Sequence, residues 1–283
     1  MSFPKDKHNQ QKSVLVTGAS SGIGYCVAHG LKEKGYQVIA TVRKETDHKR
    51  LKNEGLEVVM LDLASTGSIQ ECVSQTLNLT DGRLYGLFNN AAFGQPGAVE
   101  DLSRDALREQ FEVNLFGTQE LTNLIIPIMR EQREGRIIQN SSVLGLVAMA
   151  HRGAYNASKF ALEGLSQTMR MELKDSGIFV SLVEPGPVES DFRKNALAAL
   201  RRHVDLKNTV HQEVYKKTVE RLEVVGAAVP FTLPAEAVLK KVVHALESTR
   251  PQNHYFVTLP THLFAFFKRV LPDRMLQAIL SKV

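Results

Sequence analysis

The chain has 283 residues, 43% of them hydrophobic and 23% charged, with a formal net charge of +5 from 35 basic and 30 acidic residues. That is material for a globular domain with a sizeable core, and the mixed charge excludes a nucleic-acid stripe. No run of about 18 uncharged apolar residues exists, so no spanning helix is expected.

Residues 1–12 are polar, lack an apolar signal core and read as a disordered tail, so the protein is expected to be cytoplasmic. No linker or composition break divides residues 13–283, which read as one domain. Cys26 and Cys72 form no metal or redox motif, and no metal is expected. Residues 13–17 are a short β-branched run that stops at Gly18-Ala19-Ser20-Ser21-Gly22-Ile23-Gly24. A helix follows with Ile23, Val27 and Leu31 on one face, closed by Gly35. Residues 36–42 then read as a second strand. Glycines between a strand and a helix let the backbone approach a pyrophosphate, which the helix N-terminus holds with free N–H groups.

Further strands are predicted at 56–61, 85–88, 136–141 and 178–183, with helices at 68–77, 103–133 and 155–175. Tyr155 and Lys159 are four apart, on one face of the last of these helices. A free phenol has a pKa of about 10, and a nearby cation lowers it. Ser142 follows a strand and offers a hydroxyl to the same chemistry. A Tyr/Lys pair alone is ordinary on a surface helix; the glycine loop upstream changes its meaning.

With Gly-x-x-x-Gly-x-Gly, Ser142 and Tyr155-x-x-x-Lys159 in this order, the chain resembles the short-chain dehydrogenase/reductase family over about residues 13–257. The resemblance implies an α/β, Rossmann-type doubly wound parallel sheet of seven strands, with helices on both faces and a helical substrate lid. It implies hydride transfer between a nicotinamide dinucleotide and an alcohol or carbonyl. Tyr155 would be the general acid/base, Ser142 would hold the reacting oxygen, and Lys159 would lower the Tyr155 pKa and bind the nicotinamide ribose. Asn114, in mid-helix, would hold a water linking Lys159 to solvent. Gly18, Ser20, Ser21, Gly22, Ile23 and Gly24 would carry the pyrophosphate, and Asp62 and Leu63 the adenine. Asn89, Asn90 and Ala91 would surround the ribose, and Ala92 stands where the family has Gly. Pro185, Gly186, Val188 and Ser190 would hold the carboxamide. At the end of the second strand an NAD enzyme places an acid; here Val42 is followed by Arg43 and Lys44, and Arg43 suits a 2′-phosphate, so NADP(H) is the expected cofactor.

After Ser190 an insertion runs to about residue 231. Phe192, Ala196, Leu200 and Val204, then Val210, Val214, Thr218 and Leu222, fall at helical spacing and read as the lid. Leu146, Val147, Met149 and Phe192, with Ser142 and Tyr155, are the expected substrate contacts. His151 reads as a loop residue. Tyr255, Phe256, Leu263, Phe264, Phe266 and Phe267 extend the apolar set, followed by Lys268 and Arg269. That tail also fits a partner contact or a membrane surface. No clustered cations for a carboxylate or phosphate are evident in these segments. A hydrophobic alcohol or carbonyl is therefore expected: a steroid, retinoid or long-chain aldehyde, as in the 17β-hydroxysteroid and retinol dehydrogenase branch. A homodimer or homotetramer is expected by analogy with the family. The alternative is a redox-silent sensor or scaffold that binds dinucleotide, but such relatives commonly lose the Tyr or the Lys.

Overall fold

The computed structural model describes residues 11–224, 226 and 229–282. Residues 1–10 of the expected tail and 225, 227 and 228 of the expected lid lie outside the described residues. The end of the tail is tied down: Gln11 donates to the Gly35 carbonyl at 2.9 Å, and the Lys12 carbonyl accepts from the Gln37 amide at 3.0 Å.

Seven strands form one parallel sheet: β1 (Ser13–Val16), β2 (Gln37–Val42), β3 (Glu57–Met60), β4 (Gly86–Asn89), β5 (Gly135–Asn140), β6 (Ile178–Glu184) and β7 (His254–Phe256). Their order is β3-β2-β1-β4-β5-β6-β7. The central strands are buried on both faces, which is why they read as continuous apolar runs without alternation. The intervening helices are α1 (Gly22–Glu33), α2 (Glu45–Asn53), α3 (Thr66–Leu79), α4 (Arg104–Phe111), α5 (Thr118–Gln132) and α6 (Gly153–Glu172). The chain continues through α7 (Phe192–His203), α8 (Gln212–Glu223), α9 (Glu236–Glu247), α10 (Leu259–Val270) and α11 (Asp273–Leu280). One core packs β1, β2 and β4 against α1 and α9, around Val27, Leu31, Phe88 and Val242. The other packs the opposite face against α3, α5 and α6, around Ile69, Leu121, Met129 and Met169.

The stretch expected as one helix over 103–133 is two helices joined by a π-helical turn, Glu112–Gly117. Asn114 sits in that wide turn and is buried, with polar partners in the segment after β4 and in α6. Residues 254–256 are an edge strand, so Tyr255 belongs to the core and donates or accepts at His244 Nδ1, 2.8 Å away. In α8 the buried side chains are Tyr215 and Leu222, while Val210 lies before the helix and is 88% exposed. Of the expected stripe Leu222 is buried and Val214 and Thr218 are half-buried, while Tyr215 takes the innermost place. No described helix is long and apolar enough to cross a membrane.

Candidate active site

Strand order reverses between β1 and β4, so the connections leaving their carboxyl ends diverge and open a crevice. A cavity of about 950 Å³ lies there. On one side is the β1–α1 loop. Gly18 and Gly22 take positive φ, +67° and +56°, which L side chains rarely adopt. A Cβ on Gly24 would stand 2.2 Å from the Gly18 carbonyl oxygen, so this glycine lets α1 start against the loop. No side chain caps the first turn of α1 and no acid lies in it, which leaves its N–H groups free for an anion. Gly18, Ser20, Ser21, Gly22 and Ile23 line the cleft, as do Arg43, Asp62 and Leu63 further along. Arg50 donates to the Ser20 carbonyl at 2.6 Å and fixes the loop from outside. These residues fit a dinucleotide: glycines where phosphate approaches, free donors, and a cation at the far end.

A polar chain ties the ends of three strands together. Thr17 Oγ1 accepts from the Asn90 and Ala91 amides at 2.8 and 2.9 Å. Asn140 Nδ2 donates to Asn90 Oδ1 at 2.9 Å, and Lys159 Nζ donates to the Asn140 carbonyl at 2.7 Å. Thus β1, β4, β5 and α6 hold the lysine in one place. Ser142 caps the turn Val143–Gly145, accepting from the Leu144 amide at 3.1 Å. Its hydroxyl also reaches Tyr155. Burial pushes the Tyr155 phenol up to about 12, against the pull of Ser142. Burial brings the Lys159 amine down to about 8, against the field of Glu163. The amine gives one of its three donors to the Asn140 carbonyl and stands 5.7 Å from the phenol ring centroid. The Phe192 ring meets Tyr155 edge-on, with centroids 5.3 Å apart.

Residues 12–201 match the family model of the short chain dehydrogenases. The chain belongs to the short-chain dehydrogenase family. It is 44% identical over 271 residues to the uncharacterized oxidoreductase YbbO of Escherichia coli K12, covering 96% of this chain and 94% of that protein. It is 38% identical over 197 residues to human retinol dehydrogenase 8, covering 66% and 62%. A short-chain dehydrogenase from Burkholderia phymatum, solved in complex with NAD, superposes with a TM-score of 0.79 at 25% identity, each chain covered over 95%. As an oxidoreductase of this family the protein takes a nicotinamide dinucleotide cofactor.

Within the short-chain dehydrogenase frame, several expected residues stand elsewhere. Asn89 does not line the cleft; its amide donates to Thr122 Oγ1 at 2.8 Å and braces β4 against α5. Gly24 lies behind the loop. Asn114 holds the segment after β4, accepting from the Phe93 amide at 3.2 Å and donating to its carbonyl at 2.9 Å. Its third contact is Ser158, 3.4 Å away, and no side-chain partner of Asn114 is Lys159. Asn90, Ala91, Pro185, Gly186, Val188 and Ser190 do line the cleft. Ala92 lines it too, without the left-handed backbone that would need glycine.

On the substrate side Met149 and Phe192 line the cleft, but Leu146 and Val147 do not. The turn Val143–Gly145 rotates Val143 and Leu144 inward and buries Val147 beneath them. His151 is a half-buried loop residue outside the lining. From the tail, Leu263, Phe264 and Phe267 of α10 face the cleft, whereas Phe266 is 59% exposed. The expected absence of clustered cations is overturned: Arg152, Arg193, Arg202 and Arg221 all line the cleft. They were missed because they come from α7, α8 and the residue capping α6, distant in sequence. A second omission lies behind Lys159. Glu163, one turn along α6, meets Glu184 and His254, with ligating atoms within 4.8 Å of one another. Both oxygens of Glu163 lack a hydrogen-bond partner among the described residues, and Glu184 Oε1 bonds His254 Nδ1 at 2.6 Å.

Proposed function

We propose that the protein is an NADP(H)-dependent oxidoreductase that interconverts a bulky hydrophobic alcohol and its carbonyl. The observation that carries it is the convergence of Ser142 and Tyr155 on a cleft walled by Val143, Leu144, Phe192, Phe264 and Phe267. Bound in the cleft, the dinucleotide supplies hydride to a carbonyl carbon or accepts it from a carbinol. Tyr155 gives the hydroxyl proton to the carbonyl oxygen in reduction and takes it back in oxidation. A phenol held up to about 12 keeps its proton at neutral pH, the form that donates. Ser142 hydrogen-bonds the same oxygen and fixes its position. Lys159, whose ammonium keeps two donors beyond the one given to the Asn140 carbonyl, would replenish the proton of Tyr155.

NADP(H) is favoured by Arg43, exposed after a β2 that ends without an acid at Val42. The substrate class is favoured by the apolar wall and by the likeness to retinol dehydrogenase 8. A straight-chain aldehyde series assayed with NADPH tests it. Each buried methylene contributes about 0.8 kcal/mol, so KM should fall roughly fourfold per carbon until the pocket is full. Flat KM across the series, or a preference for sugars, sinks the reading.

A further inference from the structure

The substrate end of the cleft carries charge that its apolar wall does not explain. Arg152 is the residue before α6, three positions ahead of Tyr155; Arg193 is in the first turn of α7; Arg221 is in the last turn of α8. All three line the cleft, and none of them has an ion-pair partner among the described residues. Arg202 is different, because Glu109 already neutralises it. Arg193 donates to the Gly226 carbonyl, but its Nη1 is buried with no partner among the described residues. Among the described residues the Arg152 side chain finds only the Ala150 carbonyl, at 3.3 Å.

The three cations also feel one another. Burial and then the Arg221 charge bring Arg152 down to about 10, and burial and then the Arg193 charge lower Arg221. A guanidinium stays protonated at neutral pH, so the repulsion is not relieved by losing a proton. Partly buried cations without counter-charge are costly, and their forked donors match carboxylate, phosphate or sulfonate oxygens. The cofactor's phosphates have other partners available, the uncapped start of α1 and Arg43. Arg152 and Arg221 instead belong to the catalytic helix and to the insertion.

We propose that Arg152, Arg193 and Arg221 form an anion subsite in the substrate end of the cleft, so that the preferred substrate is a long-chain alcohol or carbonyl with an anionic head group. This rests on the oxidoreductase reading above and narrows its substrate class. The apolar wall takes the chain and the arginines take the head.

Binding and turnover separate the two ideas. With the full chain saturated in NADP+, calorimetry compares dodecanoate and dodecyl phosphate with dodecanol. Charge-assisted contacts give the anions roughly 10- to 150-fold tighter binding. Arg221→Gln and Arg193→Gln should each remove about tenfold or more of that preference, while Arg221→Lys keeps part of it. Of the two anions, the tighter binder gives the head group. Equal affinity for dodecanol and both anions overturns the subsite. So does a loss of NADP+ affinity in the Gln variants that matches the loss for the anions, because the arginines would then serve the cofactor. Turnover of ω-oxododecanoate with NADPH is measured alongside. Arginine-dependent anion binding without any reduction keeps the subsite and refutes the oxidoreductase reading instead.

Discussion

At the scale of single residues, chemistry rests on Tyr155. Tyr155→Phe removes the proton donor and little volume from a residue that is buried in the cleft wall. It should fold, bind NADPH as before and lose at least about 100-fold in kcat; turnover at the wild-type level would refute the assignment. Arg43→Leu should weaken NADPH by about 10- to 150-fold and leave NADH nearly alone, because only NADPH carries the 2′-phosphate. Equal losses in fluorescence titrations with both cofactors would remove Arg43 from that role. The buried acid behind Lys159 gives a pH signature. Burial raises Glu184 from 4.5 to about 7, and the Glu184 hydrogen bond raises His254 as well. Lys159, Arg170 and Lys268 face Glu163 from α6 and α10 and partly offset the pair. A raised folded pKa stabilises fully below the unfolded value, and that stability is lost as pH rises through the folded value. The protein should therefore lose stability between about pH 4.5 and 7 relative to Glu184→Gln, by a few kcal/mol. Parallel urea midpoints for the two proteins over that range would contradict this. Ser142, Tyr155 and Lys159 could be singled out only through the glycine loop upstream and the family resemblance, since a Tyr/Lys pair alone is ordinary on a helix. Glu163, Glu184 and His254 could not be, since three separate elements bring them together.

At the scale of elements, the β1–α1 unit was legible almost to the residue, because a strand, a glycine loop and an amphipathic helix each leave a local mark. The loop works only if α1 can start against Gly18. Gly24→Ala places a methyl 2.2 Å from the Gly18 carbonyl, backbone that cannot rotate away. The overpacking should cost about 1–3 kcal/mol and widen the phosphate cradle. Thermal unfolding and NADPH titration should both show the loss, and an alanine variant with native affinity would mean that the cradle tolerates a wider gap. Elements without such marks were missed or misplaced. The π turn at Glu112–Gly117 has the composition of an ordinary helix. The three-residue strand β7 is an edge pairing with β6 that no local periodicity announces. In α8, Tyr215 is buried because its hydroxyl reaches Asp101 and the Ala98 amide, a tertiary reason that the helical period does not announce.

At the scale of the whole molecule, the first half of the chain supplies the dinucleotide side of the cleft and the last third closes the other. α10 comes from beyond the residues matched by the family model, yet it reaches back to the catalytic turn. Phe264 and Leu276 are buried there among Val143, Leu144, Val147 and Tyr155, with Phe267 packed against them. A wall delivered from so far along the chain separates substrate reach from catalysis. Phe267 touches the cleft but is only half-buried, so its removal leaves the fold less disturbed than the loss of Phe264. Burying a phenyl group contributes about 1.5–3 kcal/mol, which is roughly 10- to 150-fold in affinity. Phe267→Ala should therefore raise KM for dodecanal by about that factor, leave KM for butanal within about twofold, and leave NADPH affinity unchanged. Steady-state kinetics with the two aldehydes decides it. An equal rise for both would place Phe267 against the reacting carbon rather than the chain, and no rise for either would take α10 out of the substrate pocket.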